Sequence, residues 1–461
     1  MKLSTIATAV ALALTWTTSL KAEEAPAKKG LSFVPFPMLA YDGAKGFLVG
    51  GMLNVYDFGN GESWPKPVSS YYADISIYTG GSMTVTGAYD SGIRMDKCRI
   101  MATASYCADK SMSFYGYDGY NSFYDSALDE SFYRYGRNRL NVRADLRVKI
   151  TDKLSWEAGY HFNALKISDY AHTEETTGTT LFQLYKTWGI IPETAISNSK
   201  FSSAIRAGIV LDTRDFENVP SRGILAHASV TAGARFMGSS DNFVKVNASF
   251  RQYVPLVQDK LTFAYRVEWH GFAGKAPWYL YPCFSPGESN YDNIGLGGYR
   301  MVRGIMYNRV QSPSVGWFNT EFRWKFASVT IWKQHIGLMA SCFCDGIRAF
   351  RENGLQNKTG LSPEIYSRFV NADASEHFHV SAGGAIRFIL NHNFVLTVEY
   401  GKCTDPRDGI GALMINSGFY FCFGDIELPG RPKLTWSRQK SDSSAQVLCN
   451  SRPEFRLLPL A

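Results

Sequence analysis

The chain has 461 residues, of which 14% are aromatic and 19% are charged, and it contains 41 glycines. A formal charge of +7 is too diffuse at this length to argue for a nucleic-acid partner. The eight cysteines form no Cys-x-x-Cys pair and no Cys/His ligand pattern, so we expect no metal and no other cofactor. The composition favours a β-barrel.

Residues 1–22 are predicted to be a secretory signal peptide. Lys2 supplies the positive start, residues 6–16 form an apolar run, and Ala22 offers a small residue at the cleavage position. The apolar run is too short to cross a bilayer core as an anchor helix. We therefore expect an exported protein in which residues 23–30 form a short linker.

Strict alternation of side chains marks the clearest strand, at residues 139–150. Apolar residues occupy its even positions, and its odd positions are polar: Arg139, Asn141, Arg143, Asp145, Arg147 and Lys149. A period of two places the two sets on opposite faces of a strand. In a transmembrane barrel the polar face would line the lumen and the apolar face would meet lipid, whereas in a soluble sandwich the polar face would meet water.

Sixteen strands are predicted in chain order. Their bounds are 31–42, 46–57, 68–79, 81–92, 97–108, 133–149, 154–168, 201–213, 222–235, 241–254, 260–273, 314–327, 334–347, 377–390, 393–405 and 410–423. The long connections all follow odd-numbered strands, and they are 109–132, 169–200, 274–313 and 348–376. Bacterial outer-membrane barrels have this asymmetry, with long loops outside and short turns in the periplasm. The sequence therefore predicts an all-β fold, a 16-stranded antiparallel transmembrane barrel over 31–423 in the outer membrane of a Gram-negative bacterium.

The end of the last predicted strand fits this architecture. It resembles the terminal-strand signal of outer-membrane barrels, with the residues Asn416, Gly418, Phe421 and Phe423. The polar, basic segment 424–461 is predicted to be a disordered periplasmic tail.

Three motifs point to a known family. Val302-Arg303-Gly304-Ile305 lies in the eleventh connection, which is the sixth extracellular loop of such a barrel. The turn between strands eight and nine contains Asp212, Arg214, Asp215, Pro220 and Gly223. Strands twelve and thirteen contribute Asn319, Glu321 and Arg323, and Phe343 and Asp345. With these motifs the chain resembles the BamA/TamA family of outer-membrane assembly and translocation barrels, the bacterial surface antigen superfamily, over residues 31–423.

Arg303 is the central candidate residue. Glu321 lies on the polar face of its strand, so a loop tucked into the lumen could bring Arg303 against Glu321 and Asp345. The resemblance implies this arrangement, which locks the sixth loop inside the barrel. The alternatives are a solvated loop arginine and a glutamate that merely lines the pore. Ile305 departs from the family's usual aromatic, and Gly346 follows Asp345 one position earlier than usual.

The resemblance implies a non-enzymatic role in inserting or exporting envelope proteins or lipids. Client strands would enter by edge pairing between residues 31–42 and 410–423. Family members usually carry periplasmic polypeptide-transport-associated domains before the barrel, and the short linker leads us to expect that a periplasmic partner subunit replaces them. The expected partners are thus outer-membrane lipid, envelope assembly proteins and unfolded client proteins, but no nucleic acid.

Other functions remain open at this stage. A structural or surface-binding barrel could use the aromatic segment 114–120, although a membrane-interface girdle is the preferred interpretation of these aromatics. A passive porin lined by Arg139, Arg143 and Arg147 would favour anions, but a tucked-in sixth loop should obstruct it. The eight histidines give no repeated catalytic geometry, which disfavours an enzyme.

Overall fold

The structure is a computed structural model of the full chain. It describes residues 29–42, 45–64, 66–122, 124–171, 179–192, 198–215, 220–274, 276–284, 297–298, 301–331, 334–351, 353, 367, 369–370, 374–390, 394–417, 434–441 and 444–447. Several sequence predictions fall outside this part of the chain. They are the signal peptide, most of the linker, and Gly418, Phe421 and Phe423 of the terminal-strand signal.

The fold is an antiparallel sheet in which each strand pairs with the next. The first sixteen strands are β1 Leu31–Asp42, β2 Gly46–Asp57, β3 Ser69–Tyr78, β4 Met83–Asp90, β5 Cys98–Ser113, β6 Arg134–Lys149, β7 Leu154–Ser168, β8 Lys200–Asp212, β9 Gly223–Gly233, β10 Phe243–Val257, β11 Leu261–Ala273, β12 Ser314–Ile331, β13 Gln334–Arg351, β14 His379–Leu390, β15 Phe394–Cys403 and β16 Ala412–Ser417. The predicted β-barrel architecture is confirmed, and β1, β2 and β7 have the predicted bounds.

Two further strands follow β16. They are β17 Leu434–Ser441, which pairs with β16, and β18 Ser444–Val447, which pairs with β17. Both segments lie within 424–461, where the sequence predicts a disordered periplasmic tail. Residues 434–437 alternate between apolar and polar types, a pattern typical of a strand.

The distribution of side chains is inverted relative to a soluble protein. Apolar residues are exposed on the outer face of the sheet, among them Ile75, Leu140, Val142, Ile205, Ile209, Val267, Ile386 and Val398. Charged and polar residues are buried on the inner face, among them Asp74, Arg139, Arg143, Asp145, Glu157, Arg206, Glu268 and Arg387. This arrangement suits a barrel with lipid outside and a polar lumen inside. None of the described helices is both long and apolar enough to cross a bilayer.

The long connections lie at one end of the sheet, as predicted. We number the connections at this end as loops 1 to 8; loop 3 is 114–133, loop 4 is 169–199, loop 6 is 274–313, loop 7 is 352–378 and loop 8 is 404–411. Loop 4 contains the helix α1 Leu181–Thr187, which starts with a capping box at Thr180.

These loops share an apolar core with the strand ends beneath them. Phe114 of loop 3 is fully buried, and its ring lies 5.1 to 6.1 Å from those of Tyr117, Tyr135, Phe182, Tyr185 and Trp278. We call this group, which consists of five loop residues and Tyr135 of β6, the loop cap; it also includes Leu280, Met301, Val302, Ile305 and Val310.

The aromatic segment 114–120 therefore forms neither a membrane-interface girdle nor an exposed binding surface. Phe114, Tyr117 and Tyr120 are each at most 4% exposed. Both sequence interpretations of this segment are wrong, because glycines at 116 and 119 take positive φ and fold the loop inward onto the cap. An alternating strand pattern gives no indication of such a fold.

Candidate functional site

Loop 6 reaches the inner wall of the barrel at Gly304. This glycine has φ +86, a conformation that side-chain-bearing residues rarely adopt. A Cβ added to it would lie 2.7 Å from the carbonyl carbon of Gly401 in β15. Two glycines thus face each other where the loop backbone meets the strand backbone, and this close approach positions the preceding residue, Arg303.

Arg303 forms a bidentate ion pair with Asp345 of β13. Its Nε donates to Oδ2 at 2.7 Å and its Nη2 donates to Oδ1 at 2.9 Å. The backbone N–H of Arg303 also donates to Oδ2, at 3.1 Å. Both side chains are completely buried, so the pair is shielded from water and each charge depends on the other.

Two more carboxylates and an aromatic ring complete the surroundings of Arg303. Its Nη1 donates to Oε2 of Glu399 at 3.2 Å and lies 3.6 Å from Oε2 of Glu321. The guanidinium carbon lies 3.5 Å from the ring centroid of Phe343, a cation–π contact. The arginine is therefore held by residues of β12, β13 and β15.

The two extra carboxylates also lie near other guanidinium groups, and Glu399 lies 3.9 Å from Arg387. Glu321 contacts Arg387 of β14 at 2.5 Å and Arg323 of β12 at 3.4 Å. Ser341 donates to Glu321 at 2.6 Å. With Arg303, Asp345 and Glu399, the site contains three guanidinium groups and three carboxylates, so its formal charge is balanced. We call these six charged residues the loop lock.

The backbone on either side of Arg303 is also held. The carbonyl of Met301 accepts hydrogen bonds from Asn319 at 2.9 Å and from Arg266 at 3.4 Å. The thiol of Cys403 donates to the carbonyl of Gly304 at 2.7 Å. Val302 and Ile305 are at most 4% exposed and pack into the loop cap. Ile305 thus supplies an apolar contact where the family usually has an aromatic.

The structure brings together the three residues that the sixth-loop hypothesis paired, Arg303, Asp345 and Glu321. Sequence reasoning missed Glu399 and Arg387, which are as deeply buried. One signal was available: Glu399 and Thr397 alternate with apolar residues in β15, so both belong to the inner face. That pattern does not reveal that the inner face of β15 meets loop 6.

The second predicted motif lies at the β8–β9 connection, at the opposite end of the barrel. Arg214 donates to both carboxylate oxygens of Asp212, at 2.9 and 2.7 Å. Asp215 accepts from the backbone of Ser221 at 3.0 Å. Gly223 has φ +103, and a Cβ there would lie 2.3 Å from the carbonyl oxygen of Thr213. Pro220 lies within the same turn and is buried. This motif shapes the β8–β9 connection, and its residues do not take part in the loop lock.

Comparison with known proteins identifies the family. A family model, the Omp85 superfamily domain, matches residues 103–425. The structure is similar to BamA from Haemophilus ducreyi lacking POTRA domains 1-3, with a TM-score of 0.52 and 15% identity over 83% of this chain and 69% of that one. Comparison with curated proteins gave no match.

Two CdiB structures are also similar. CdiB from Escherichia coli matches with a TM-score of 0.49 and 11% identity over 82% of this chain, and CdiB from Acinetobacter baumannii with 0.43 and 11% over 83%. The chain spans 60% and 58% of their lengths. At such identities the BamA likeness concerns the fold, whereas the family model covers well over half of the chain. The chain therefore belongs to the Omp85 superfamily, and its fold is similar to that of the BamA barrel.

Proposed function

We propose that this protein assists the insertion or export of envelope proteins or lipids in the outer membrane of a Gram-negative bacterium, together with a periplasmic partner subunit. The observation that carries the proposal is the complete burial of Arg303 against Asp345, Glu321 and Glu399. A loop fixed inside the lumen by balanced charges is of little use to a passive pore. It suits a barrel whose wall must stay ordered while client chains are inserted or exported.

The loop cap argues further against a permanently open porin. Its residues come from loops 3, 4 and 6 and from the start of β6, and its aromatic rings pack directly against one another. Solutes would have to pass this buried apolar core. The lumen arginines Arg139 and Arg143 lie below this cap and are themselves buried.

The proposed mechanism uses backbone pairing and no nucleotide, cofactor or covalent step. A strand edge presents unpaired N–H and C=O groups that can template another strand. One edge of β1 is occupied by β2 along its whole length. We place the client at the other edge of β1, and the loop lock keeps β12–β15 in register while that edge is used.

Depletion of the protein followed by quantitative proteomics of the envelope tests this function. We expect a loss of other barrel proteins or exported surface proteins, and restoration by the wild-type chain. Pull-down from gently solubilised envelopes should recover a periplasmic subunit. An unchanged envelope proteome after depletion would overturn the assembly role and leave a structural or surface-binding barrel as the alternative.

A further inference from the structure

A second buried polar cluster joins four loop regions above the loop lock. Its members are Tyr120 of loop 3, Arg309 of loop 6, Glu376 of loop 7 and Asp408 of loop 8, arranged around His379 at the start of β14. We call these five residues the loop latch. Each of the five is at most 7% exposed, so their charges are removed from bulk water.

His379 contacts a carboxylate with each of its ring nitrogens. Its Nδ1 lies 2.7 Å from Oδ1 of Asp408, and its Nε2 lies 3.1 Å from Oε1 of Glu376. A neutral imidazole has one N–H and one acceptor nitrogen. It can therefore donate to only one of these carboxylates and would turn a lone pair towards the other.

The other contacts of both carboxylates come from donors. Asp408 accepts from the hydroxyl of Tyr120 at 2.7 Å and lies 3.3 Å from Nε of Arg309. Glu376 accepts from the backbone N–H groups of Tyr120 at 3.0 Å and Ala349 at 3.2 Å. Such surroundings favour ionised carboxylates. The imidazole is then the group that carries the additional proton, as a cation that donates on both sides.

The remaining ionisable groups nearby do not replace this cation. Arg407 lies over the ring of Tyr120 at 4.3 Å and pairs with Asp405 at 2.7 Å. Burial raises the pKa of the Tyr120 hydroxyl above its ordinary value, and Asp408 raises it further, so this phenol keeps its proton. The ring of Tyr120 stacks on His379 at 3.8 Å and on the exposed His377 at 4.3 Å.

The latch residues also tie the loops together through the backbone. Arg309 donates to the carbonyls of Gly119 at 2.7 Å, Ser122 at 3.1 Å and Arg407 at 3.0 Å. The backbone N–H of Met306 donates to the carbonyl of Asp408 at 2.9 Å. Release of His379 from Asp408 would therefore weaken the contact between loops 3, 6, 7 and 8.

We propose that protonated His379 is a pH-sensitive latch that holds the loops closed over the barrel. The two carboxylates stabilise the charged imidazole, so the latch is complete while His379 is protonated and is lost as the pH rises through its titration. Loss of the proton removes the positive charge and leaves the imidazole with a single N–H for two buried carboxylates, and the loops loosen at alkaline pH.

Limited proteolysis of the full chain in detergent micelles tests the proposal. Proteinase K cleaves the protein at each pH, and mass spectrometry locates the cleavage sites within loops 3, 7 and 8. The cleavage rate in these loops is then divided by the rate at which the protease cleaves an unstructured peptide at the same pH. For the wild type between about pH 6 and 10 we expect a low ratio that rises on the order of tenfold through one titration.

Three variants decide the origin of this transition. His379→Gln should give a high ratio at every pH without a transition, whereas the matched control His377→Gln should keep it. Asp408→Asn removes one carboxylate and should move the midpoint to lower pH by about one unit or more; this variant keeps the test informative if His379→Gln does not fold. A flat wild-type profile, or a transition that persists in a folded His379→Gln variant, would overturn the proposal.

Discussion

The guanidinium of Arg303 and the carboxylate of Asp345 meet in a planar, two-bond contact at 2.7 and 2.9 Å, with no exposure of either side chain. One residue comes from loop 6 and the other from the middle of β13. Because the pair is buried, removing one partner leaves an uncompensated charge in the lumen. The loop lock is thus both a tether for loop 6 and a point at which the barrel is easily destabilised.

Replacement of Arg303 by alanine should destabilise the barrel strongly. Three carboxylates then remain against two guanidinium groups, and breaking a buried ion pair in this way costs about 3–5 kcal/mol. We expect a lower temperature for heat-modified migration on electrophoresis and a lower midpoint of urea unfolding in lipid vesicles, with export unaffected. Arg303→Lys should fall between alanine and wild type, because it keeps the charge and loses the bidentate geometry. Wild-type behaviour of Arg303→Ala in both assays would refute the loop lock.

A methyl group at Gly304 should separate loop 6 from β15. The residue has φ +86, and the added Cβ would lie 2.7 Å from the backbone of Gly401. Gly304→Ala should therefore lower the unfolding midpoint and increase protease access to loop 6. Gly87→Ala in β4 is the matched control, since an added Cβ there meets no atom within 4 Å. Equal effects of the two substitutions would contradict the close approach described for Gly304.

Truncation of Phe114 should open the loop cap. This ring is fully buried among five aromatic neighbours, and removing such a side chain costs about 3–5 kcal/mol. We expect Phe114→Ala to conduct ions more frequently than wild type in planar bilayers. Phe236→Ala serves as the control, because Phe236 is 91% exposed on the β9–β10 connection. Indistinguishable conductance of wild type and Phe114→Ala would show that the cap does not close the lumen.

Asp408 should make the loop latch sensitive to acid as well. Burial opposes its ionisation, but the His379 hydrogen bond and the charges of His379 and Arg309 outweigh burial and lower the pKa of Asp408 below its ordinary value. Its stabilising contribution is therefore fully present above about pH 4, the ordinary aspartate value, and is lost as the pH falls through the lowered pKa. Below about pH 4, the difference in urea midpoint between wild type and Asp408→Asn should shrink as the pH falls. A difference that stays constant down to pH 2 would contradict this role.

The strand pattern was readable from the sequence because it depends on local chemistry. In β6 the polar residues from Arg139 to Lys149 alternate with apolar residues. This alternation is a local property of the sequence and does not depend on contacts with distant segments. The asymmetry of the connection lengths then predicts the barrel architecture and the position of loop 6 in the chain. The pairing of Arg303 with Asp345 and Glu321 followed from the resemblance to a family together with the inward direction of Glu321.

The remaining features depend on contacts between distant segments. Glu399 lies 96 positions from Arg303, and only the folded barrel brings its strand to loop 6. Four of the latch residues come from four different loops and His379 comes from β14, and their sequences show no periodicity that would relate them. The sequence favours a membrane-interface position for Phe114 and Tyr117, because aromatics are common there. Inward folding at positive-φ glycines instead buries them in the loop cap.

A double-mutant cycle between Arg303 and Asp345 tests the central claim most directly. The unfolding free energies of the wild type, Arg303→Gln, Asp345→Asn and the double variant are measured by urea titration in lipid vesicles. Residues in direct contact within one ion-pair network couple by about 0.5–3 kcal/mol, and we expect a value in the upper half of that range. The double variant should accordingly be less destabilised than the sum of the two single variants. Additivity to within about 0.5 kcal/mol would show that the two residues act independently and would contradict the loop lock.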